Sequence, residues 1–333
     1  MSIAIALLTA IAIAALLSAV ITWLSRPLLQ RYALARPNAR SSHRIPTPQG
    51  AGIAVIAATL LVGAIWTTWL GAMLSPALIV ATLLIALVGL VDDIRPLPVV
   101  LRLLLQAAAV AVIVLTAPEA QRIAPVLPPA LEHGLILLAG VWFVNLVNFM
   151  DGLDLMTVSE VVPVTAALAL LGWLGELPWP AALLAAALCG ALLGFAPFNR
   201  PVARVFLGDV GSLPIGLLLG WCLLQLAWHG QIAAALLLPA YYLADSTITL
   251  FRRILRREPF WAAHRSHFYQ RATDNGFTVS RVVGEVFLLN ILLALLAVIT
   301  IRAGLAMATT IALAAGAVAV ALVLRRFSRR QAS

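Results

Sequence analysis

The amino-acid sequence predicts an all-α fold, a polytopic bundle of transmembrane helices that forms one integral membrane domain over residues 1–333. The mean hydropathy is +1.04, and 63% of the residues are hydrophobic, which a soluble domain does not reach. Apolar stretches of roughly 20 residues, the length that crosses a bilayer, recur along the whole chain. We expect 10–11 spans, at about 3–23, 50–70, 76–91, 98–117, 134–150, 158–175, 180–196, 212–229, 232–250, 282–300 and 303–324.

The basic residues predict the orientation of the bundle. All 22 are arginine, and the loops on one side hold only Arg122 and Arg302, which leaves 20 on the other side. Because positive charge is retained in cytoplasmic loops, we predict an external N-terminus and a cytoplasmic C-terminus. The predicted cytoplasmic loops are about 24–49, 92–97, 151–157, 197–211 and 251–281. The net charge of +9 then reflects topology and contact with anionic lipid, and gives no reason to expect nucleic acid.

The acids and histidines concentrate on this same predicted cytoplasmic side. Acids near the hydrocarbon are costly and tend to mark functional sites. A secondary transporter, the main alternative from another class, usually places its coupling acids near the bilayer midplane, and only Asp245 comes close to that position. The distribution favours a site at the cytoplasmic membrane surface.

Two segments precede the middle of the chain. In "SSHRIPTPQGAG", prolines fix an extended backbone, and Gly50 and Gly52 allow a close approach to another element, although a plain Pro/Gly loop is the alternative. In "VDDIRP", Asp92 and Asp93 end a helix, where the helix dipole disfavours acids. We expect Arg95, Arg102 or a bound cation to compensate, and Mg²⁺ fits such a site. A solvated helix end is the alternative.

A third segment, "NLVNFMDGLDLM", repeats a polar residue every third position. Asn145, Asn148, Asp151 and Asp154 would share one helix face, with Gly152 loosening the helix between the two acids. The alternative is that the amides hold helices together within the bilayer, which leaves the acids unexplained.

Two further segments complete the set. "FNRPVARVFLGDVGS" places Asp209 at the start of a span, where a helix N-cap is the alternative. "HRSHFYQR" suits contact with phosphate and a lipid headgroup, or an interfacial amphipathic segment, whereas the lack of further soft ligands argues against zinc. Together, acids, a divalent cation and surplus arginine suggest phosphate chemistry beside the lipid.

These five segments, in this order over residues about 38 to 271, resemble the motifs of the polyprenyl-phosphate N-acetylhexosamine-1-phosphate transferases, glycosyltransferase family 4. The resemblance implies a Mg-dependent phosphoglycosyl transferase of the bacterial inner membrane with its active site on the cytoplasmic face. A polyprenyl phosphate would attack the β-phosphorus of a UDP-N-acetylhexosamine and release UMP. The implied partners are this donor, undecaprenyl phosphate and membrane lipid, and self-association into a homodimer is left open.

The resemblance also implies roles for residues. Asp209 and Asp151 would hold Mg²⁺, for which Mn²⁺ could substitute, and Asp92 and Asp93 would serve the prenyl phosphate, one of them as proton acceptor. All four are predicted catalytic residues. Phe206 would stack on the uracil. The predicted substrate-binding residues are His43, Arg102, Asn145, Asn148, Asp154, Asn199, Phe206, His264, Arg265 and His267.

The chain departs from the family pattern at Gln49 and Ala51, where Arg and Gly are usual, and at Arg102, where relatives often carry Lys. The final motif resembles the branch that starts O-antigen synthesis, which predicts a role in lipopolysaccharide or other surface polysaccharide formation. The alternatives are a translocase for peptidoglycan lipid I, a secondary transporter and a catalytically silent assembly subunit. The sequence does not identify the amino sugar.

Overall fold

A computed structural model describes residues 2–35, 46–259 and 264–331, and it confirms the predicted all-α membrane bundle. Among these residues the chain forms thirteen α-helices and one pair of two-residue strands. The helices are α1 Ile3–Tyr32, α2 Gly52–Trp69, α3 Pro76–Ile94, α4 Val99–Leu115, α5 Pro129–Met150, α6 Met156–Trp173, α7 Trp179–Phe195, α8 Asp209–Trp228, α9 Ile232–Leu237, α10 Ala240–Leu255, α11 Phe268–Asp274, α12 Val279–Ala303 and α13 Ala306–Phe327. The antiparallel strands are β1 Leu34–Ala35 and β2 Thr47–Pro48.

Proline and glycine set several of the helix boundaries. Helices α4, α5 and α7 each follow a proline at the N-cap, namely Pro98, Pro128 and Pro178. Proline lacks the N–H that the first turn would leave unpaired, and its fixed φ suits a helix start. Helix α12 stops at Gly304, whose φ of +59° is the left-handed conformation that ends many helices.

The number of spans agrees with the prediction once two shorter elements are counted. Nine helices in the described part of the chain are long and apolar enough to cross a membrane, and the 17-residue α4 is apolar but shorter. The predicted span 232–250 is wrong as one continuous helix, because the backbone breaks between α9 and α10 at Pro239. Counting α4 and the α9–α10 pair as crossings gives eleven.

The loops that carry the five sequence segments meet at one end of the bundle, which we call the site end. Gln49, after β2, contacts Asp93 at the end of α3, and Asp93 contacts the start of α8. Asn199, after α7, contacts Leu155, just before α6. The connections of the opposite end form a separate cluster that includes Ser75, Thr116 and Trp228. Successive loops therefore alternate between the two ends of the bundle, as the distribution of arginine predicted.

Helices α6, α7 and α8 form the centre of the bundle. Over an 18-residue apolar stretch of each, between 78% and 83% of the residues are buried, against 22% to 28% for the peripheral α1, α5 and α13. In the bilayer there is little hydrophobic driving force between helices, so close packing through small residues holds such a core. Helix α7 shows this in its run of buried alanines, Ala181, Ala182 and Ala185 to Ala187. This rigid centre supports the loops of the site end.

Two further boundaries and one predicted helix face differ from the sequence prediction. Helix α1 continues nine residues beyond the predicted 23, because its polar last turns remain helical at the membrane surface. The predicted loop 251–281 contains α11, a seven-residue helix too short to show a periodic pattern. Helix α5 ends at Met150, so Asp154 does not continue the predicted helical stripe. His43 lies outside the described residues.

Candidate functional site

The start of α8 is anchored by a carboxylate from another helix. Asp93, at the end of α3, accepts hydrogen bonds from the backbone N–H groups of Asp209 (2.9 Å) and Val210 (3.1 Å) and from Gln49 Nε2 (2.5 Å). These N–H groups belong to the first turn of α8, which has no intrahelical acceptor for them. Asp209 is therefore not its own helix cap, which leaves its carboxylate available for other contacts.

A glycine pair allows α2 to touch α8 at the same point. A Cβ atom on Gly52 would lie 2.2 Å from Cα of Gly211, a distance that no side chain can occupy. Gly50, with φ of +110°, turns the chain so that its N–H bonds the carbonyl of Phe206 at 3.1 Å. The predicted close approach at Gly50 and Gly52 is thus confirmed, and its partner is the turn that holds Phe206 and Asp209.

Asp92, next to the anchoring residue, forms an ion pair with the following helix. Its carboxylate accepts hydrogen bonds from Arg102 at 2.6 Å and from the backbone N–H of Leu97 at 2.7 Å. The same guanidinium lies 3.9 Å from Asp209. Of the compensating charges that the sequence suggested, Arg102 is the one in contact, whereas Arg95 is exposed. The guanidinium bridges the acid pair and the first acid of α8.

Asp209 is held from the opposite side by an amide of α5. Asn148 Nδ2 donates to Asp209 Oδ1 at 2.8 Å and to the hydroxyl of Ser212 at 2.9 Å. These two hydrogen bonds show that the side chain of Asn148 points from α5 towards α8. The amide orients the Asp209 carboxylate, which is half-buried at the cavity wall.

The loop between α5 and α6 carries two more acids, and each accepts a hydrogen bond from a neighbouring residue. Thr157 donates its hydroxyl to Asp151, and the backbone N–H of Ala203 donates to Asp154 at 3.0 Å. Burial, with a smaller contribution from the charges of Asp93 and Asp154, raises the pKa of Asp151 to about 7. A cation beside these carboxylates would reduce the repulsion between them.

Asn199 joins this loop to the segment before α8. Its Oδ1 accepts from the N–H of Leu155 at 2.7 Å, and its Nδ2 donates to the carbonyl of Val205 at 2.9 Å. Both ends of the amide are therefore engaged by backbone. Asn199 shapes the cavity wall on which Phe206 lies.

These groups line a cavity of about 550 Å³ that opens at the site end. Six predicted site residues are among its lining: Asn148, Asp151, Asp154, Asn199, Phe206 and Asp209. Such a volume is in the range of small-molecule sites. The backbone of Phe206 is fixed on both sides, because its N–H bonds Pro48 and its carbonyl accepts from Gly50 and Ala51. The ring is thereby positioned as part of the wall.

The donor set fits a magnesium ion better than a transition metal. No group of three or more His, Cys, Asp or Glu side chains converges on one point within residues 2–35, 46–259 and 264–331. Mg²⁺ typically takes only one or two carboxylates and completes its octahedron with water and substrate phosphate. Asp209 and Asp151, both on the cavity wall, would supply those carboxylates. Two carboxylates on one cavity wall are compatible with an ion that water and phosphate complete, and Mg²⁺ stays a prediction.

The segment after residue 263 is tied to the bundle by a buried acid. Asp245 of α10 accepts from His267 Nδ1 (3.1 Å), from the N–H of Phe268 (3.0 Å) and from the N–H of Tyr269 (3.1 Å). Its position near the membrane, which suggested a transporter, is explained by this anchoring of the start of α11. Gln270, one residue further on, lines the cavity.

His264, Arg265 and His267 do not line the cavity themselves. The ring of His267 is buried and stacks against His264, with 5.0 Å between ring centroids. Arg265 bonds Thr273 and Asp274. Burial, together with the charge of His267, lowers the pKa of His264 to about 4, so its imidazole is neutral near pH 7. Direct contact of these three residues with substrate stays a prediction.

Asn145 lies away from the cavity. It donates to Gln106 Oε1 of α4 at 2.5 Å and to the carbonyl of Val141 at 2.8 Å. These contacts match the alternative, in which the amide holds two helices together inside the bilayer. Asn145 is not among the residues that line the cavity, and its binding of substrate stays a prediction.

Sequence reasoning missed several residues that complete the site. Gln49, noted only as a departure from the family pattern, reaches Asp93. Ser212 and Thr157 each bond a predicted site residue. The signal for Ser212 was its place three residues after Asp209, one turn along α8. Thr157 carried no signal, because its contact with Asp151 depends on where α5 ends.

These features define a multi-pass membrane protein with an acidic cavity at one end of a helical bundle. Residues 75–227 match the profile of "Glycosyl transferase family 4". Together with the relatives described next, this match supports assignment of the chain to the superfamily of polyprenyl-phosphate N-acetylhexosamine-1-phosphate transferases.

Two of the relatives match over most of the chain, and a third matches over about half of it. The decaprenyl-phosphate N-acetylglucosaminephosphotransferase of Mycobacterium tuberculosis is 29% identical, over 84% of this chain and 79% of the relative. A probable undecaprenyl-phosphate N-acetylglucosaminyl 1-phosphate transferase of Bacillus subtilis is 24% identical, over 87% and 84%. The phospho-N-acetylmuramoyl-pentapeptide-transferase of Bartonella quintana is 30% identical, over 47% and 48%.

Proposed function

We propose that this protein transfers an N-acetylamino-sugar 1-phosphate from a UDP-sugar to undecaprenyl phosphate at the cytoplasmic leaflet, releasing UMP. The observation that carries the proposal is the cavity at the start of α8. There Asp209, freed from capping by Asp93 and oriented by Asn148, lies on the same wall as Asp151 and Asp154. Several carboxylates around one cavity suit a magnesium diphosphate, because the ion neutralises charge on the leaving group.

We assign the following roles in ion and substrate binding to individual residues. Asp209 and Asp151 would hold the ion, and the ring of Phe206 would stack on the uracil. Arg102 would bring positive charge towards the phosphates from the side of Asp92. Both oxygens of Asp93 already accept N–H groups, so its geometry supports an anchoring role, and Asp92 is the better candidate for contact with the acceptor phosphate.

An apolar groove supports a prenyl acceptor. A cavity of about 270 Å³ lies between α4, α5, α8 and the α9–α10 break, lined almost wholly by apolar side chains and glycine, including Val110, Phe143, Gly216, Leu217 and Leu243. An isoprenoid chain is apolar and branched, and would fill such a groove by area burial alone. We expect a full-length polyprenyl phosphate to have a lower KM than a two-isoprene phosphate of the same headgroup.

The proposal is tested by measuring UMP release from purified protein in detergent or vesicles. The donor panel is UDP-GlcNAc, UDP-GalNAc and UDP-MurNAc-pentapeptide, each with polyprenyl phosphate and Mg²⁺. Release should require all three components, and failure with every UDP-amino sugar would exclude the proposed reaction. Asp209→Asn should lose activity while it keeps the melting temperature of the wild type. Glu119→Gln, at the opposite end of the bundle, is the matched control and should remain active.

The polysaccharide made is the finer part of the proposal. The segment "HRSHFYQR" resembles the O-antigen-initiating branch, and the relatives that cover most of the chain are named for N-acetylglucosamine. Both features favour a UDP-N-acetylhexosamine without a peptide as donor. Turnover only with UDP-MurNAc-pentapeptide would instead support the peptidoglycan alternative. We favour direct attack by the prenyl phosphate, which would invert configuration at a chiral phosphorothioate donor, whereas a covalent aspartyl intermediate would retain it.

A further inference from the structure

A second groove, of about 780 Å³, lies at the site end between the start of α12 and the end of α13. It shares no lining residue with the acidic cavity. Apart from Phe277, Leu322 and Gln331, its lining consists of the five arginines Arg281, Arg325, Arg326, Arg329 and Arg330. Glu285 contacts two of them, so the groove carries an excess of about four positive charges.

Two of these arginines are held in place. Arg281 and Arg326 both form ion pairs with Glu285, at 3.2 and 2.9 Å. Both guanidinium groups also lie over the ring of Phe277, at 5.4 and 5.6 Å from its centroid, which adds a cation–π attraction. Since less side-chain motion is lost on binding, such a fixed pair favours recognition of an anion.

The other three arginines are available to a ligand. Arg325, Arg329 and Arg330 have no acidic side chain within 4 Å among the residues that the structure describes. Like charges gathered on one surface repel one another, and an anion between them would remove that repulsion. Retention of arginine on the cytoplasmic side explains their number, but it does not require them to converge on one groove.

The place of the groove indicates the kind of anion. Helix α13 is apolar from Ala306 until its last turn, where Arg325 and Arg326 begin the basic run. Leu322, three residues earlier, lines the groove and is 60% exposed on the outer surface of the bundle. A ligand in the groove would therefore meet apolar surface on the membrane side and guanidinium groups on the other. Basic clusters that directly follow a span attract anionic lipid headgroups.

We propose that this groove binds an acidic phospholipid, with a headgroup of two phosphates, as in cardiolipin, matching the charge excess best. The bound lipid would also support the acidic cavity. Asn275, after α11, donates to the carbonyl of Phe327 at 2.8 Å and accepts from the N–H of Gln331 at 3.0 Å. Helix α11 also carries Gln270, which lines the cavity. The short segment from Gln270 to Asn275 therefore connects the cavity wall to the end of α13.

The test compares two triple variants that each remove three positive charges from the same end of the bundle. The groove variant is Arg325→Gln, Arg329→Gln and Arg330→Gln. The control variant is Arg31→Gln, Arg256→Gln and Arg257→Gln, three exposed arginines outside the groove. Native mass spectrometry of delipidated protein would measure binding of cardiolipin, phosphatidylglycerol, phosphatidylethanolamine and inorganic pyrophosphate.

Wild type and control should bind cardiolipin equally. The groove variant should bind it roughly tenfold to a hundredfold more weakly, because it lacks the attraction that three juxtamembrane arginines supply to an anionic headgroup. Phosphatidylglycerol should bind less tightly than cardiolipin, and phosphatidylethanolamine weakest of the lipids. Equal loss in both variants would overturn the proposal. Pyrophosphate binding as tight as cardiolipin would also overturn it, because the ligand would then be a soluble phosphate. On the unaltered protein, photoactivatable cardiolipin should label residues 277–281 and 322–331, and labelling elsewhere alone would contradict the site.

Discussion

Replacement of Asp245 by Asn tests whether this buried acid anchors the start of α11. One carboxylate oxygen bonds His267 and the N–H of Phe268, and the other bonds the N–H of Tyr269. Asparagine has nearly the same shape, but one oxygen becomes an NH₂ group that faces an N–H donor. At least one charge-assisted hydrogen bond is therefore lost, and the remaining ones become weaker.

The magnitude follows from those contacts. A hydrogen bond to a charged group contributes about 1.5–3 kcal/mol, and a buried donor without a partner adds a comparable cost. The docked state of the segment should therefore lose about 3 kcal/mol, which is roughly a hundredfold in its equilibrium constant. Because Gln270 of this segment lines the cavity, kcat/KM for UMP release should fall by up to the same factor.

Hydrogen exchange measures this effect without assuming any activity. The amides of Phe268 and Tyr269 should exchange slowly in the wild type and roughly a hundredfold faster in Asp245→Asn. The matched control is Asp274→Asn, which removes an exposed ion pair with Arg265, worth at most about 1 kcal/mol, and should leave both amides protected. Unchanged exchange in Asp245→Asn would refute the anchoring role. Loss of ion-coupled uptake in vesicles would revive the transporter alternative.

Three further predictions concern the cavity. Gly52→Ala should lower the melting temperature and the activity, because a Cβ atom 2.2 Å from the Gly211 backbone forces α2 and α8 apart. The cost of such overpacking is about 1–3 kcal/mol. Gly134→Ala, with open space around the added methyl group, is the control. Arg102→Gln should lower kcat/KM by roughly tenfold to a hundredfold, because the ion pair with Asp92 is lost. Arg102→Lys keeps the charge and should keep part of the activity. A fully active Arg102→Gln variant would contradict this role. Chelation with EDTA should abolish UMP release, and added Mg²⁺, or less well Mn²⁺, should restore it; activity undiminished by EDTA would exclude the proposed ion.

The membrane-spanning architecture could be predicted because its signal is local. A stretch of about 20 apolar residues is visible in the sequence whatever it packs against. The one span predicted wrongly, 232–250, contains Pro239, and this residue was a visible signal for the break because proline removes a backbone donor. The helix end at Met150 was also predicted, but the continuation of a polar stripe to Asp154 was not justified once the helix had stopped. Periodicity applies only within one element.

The gathering of acids at one end was predictable for the same reason, since alternate loops must share a side of the membrane. Their individual contacts were not, because each depends on a partner far along the chain. Asp93 meets the N–H of Asp209 across 116 positions, and Thr157 meets Asp151 only because of the turn between α5 and α6. Arg102 could be named among the three candidate partners of the acid pair because the turn between α3 and α4 is short and fixed by prolines, and the structure selects it.

The adjacent acids Asp92 and Asp93 show why spacing alone cannot assign roles. Successive residues at a helix end point in different directions, so two identical carboxylates face different donors. Asp93 faces the unpaired N–H groups of α8 and the amide of Gln49, which fills both its oxygens. Asp92 faces Arg102, whose guanidinium also approaches Asp209. Because Asp93 satisfies the first turn of α8, the carboxylate of Asp209 need not cap its own helix and remains directed at the cavity. The role of each acid is thus determined by the donors that its neighbours present.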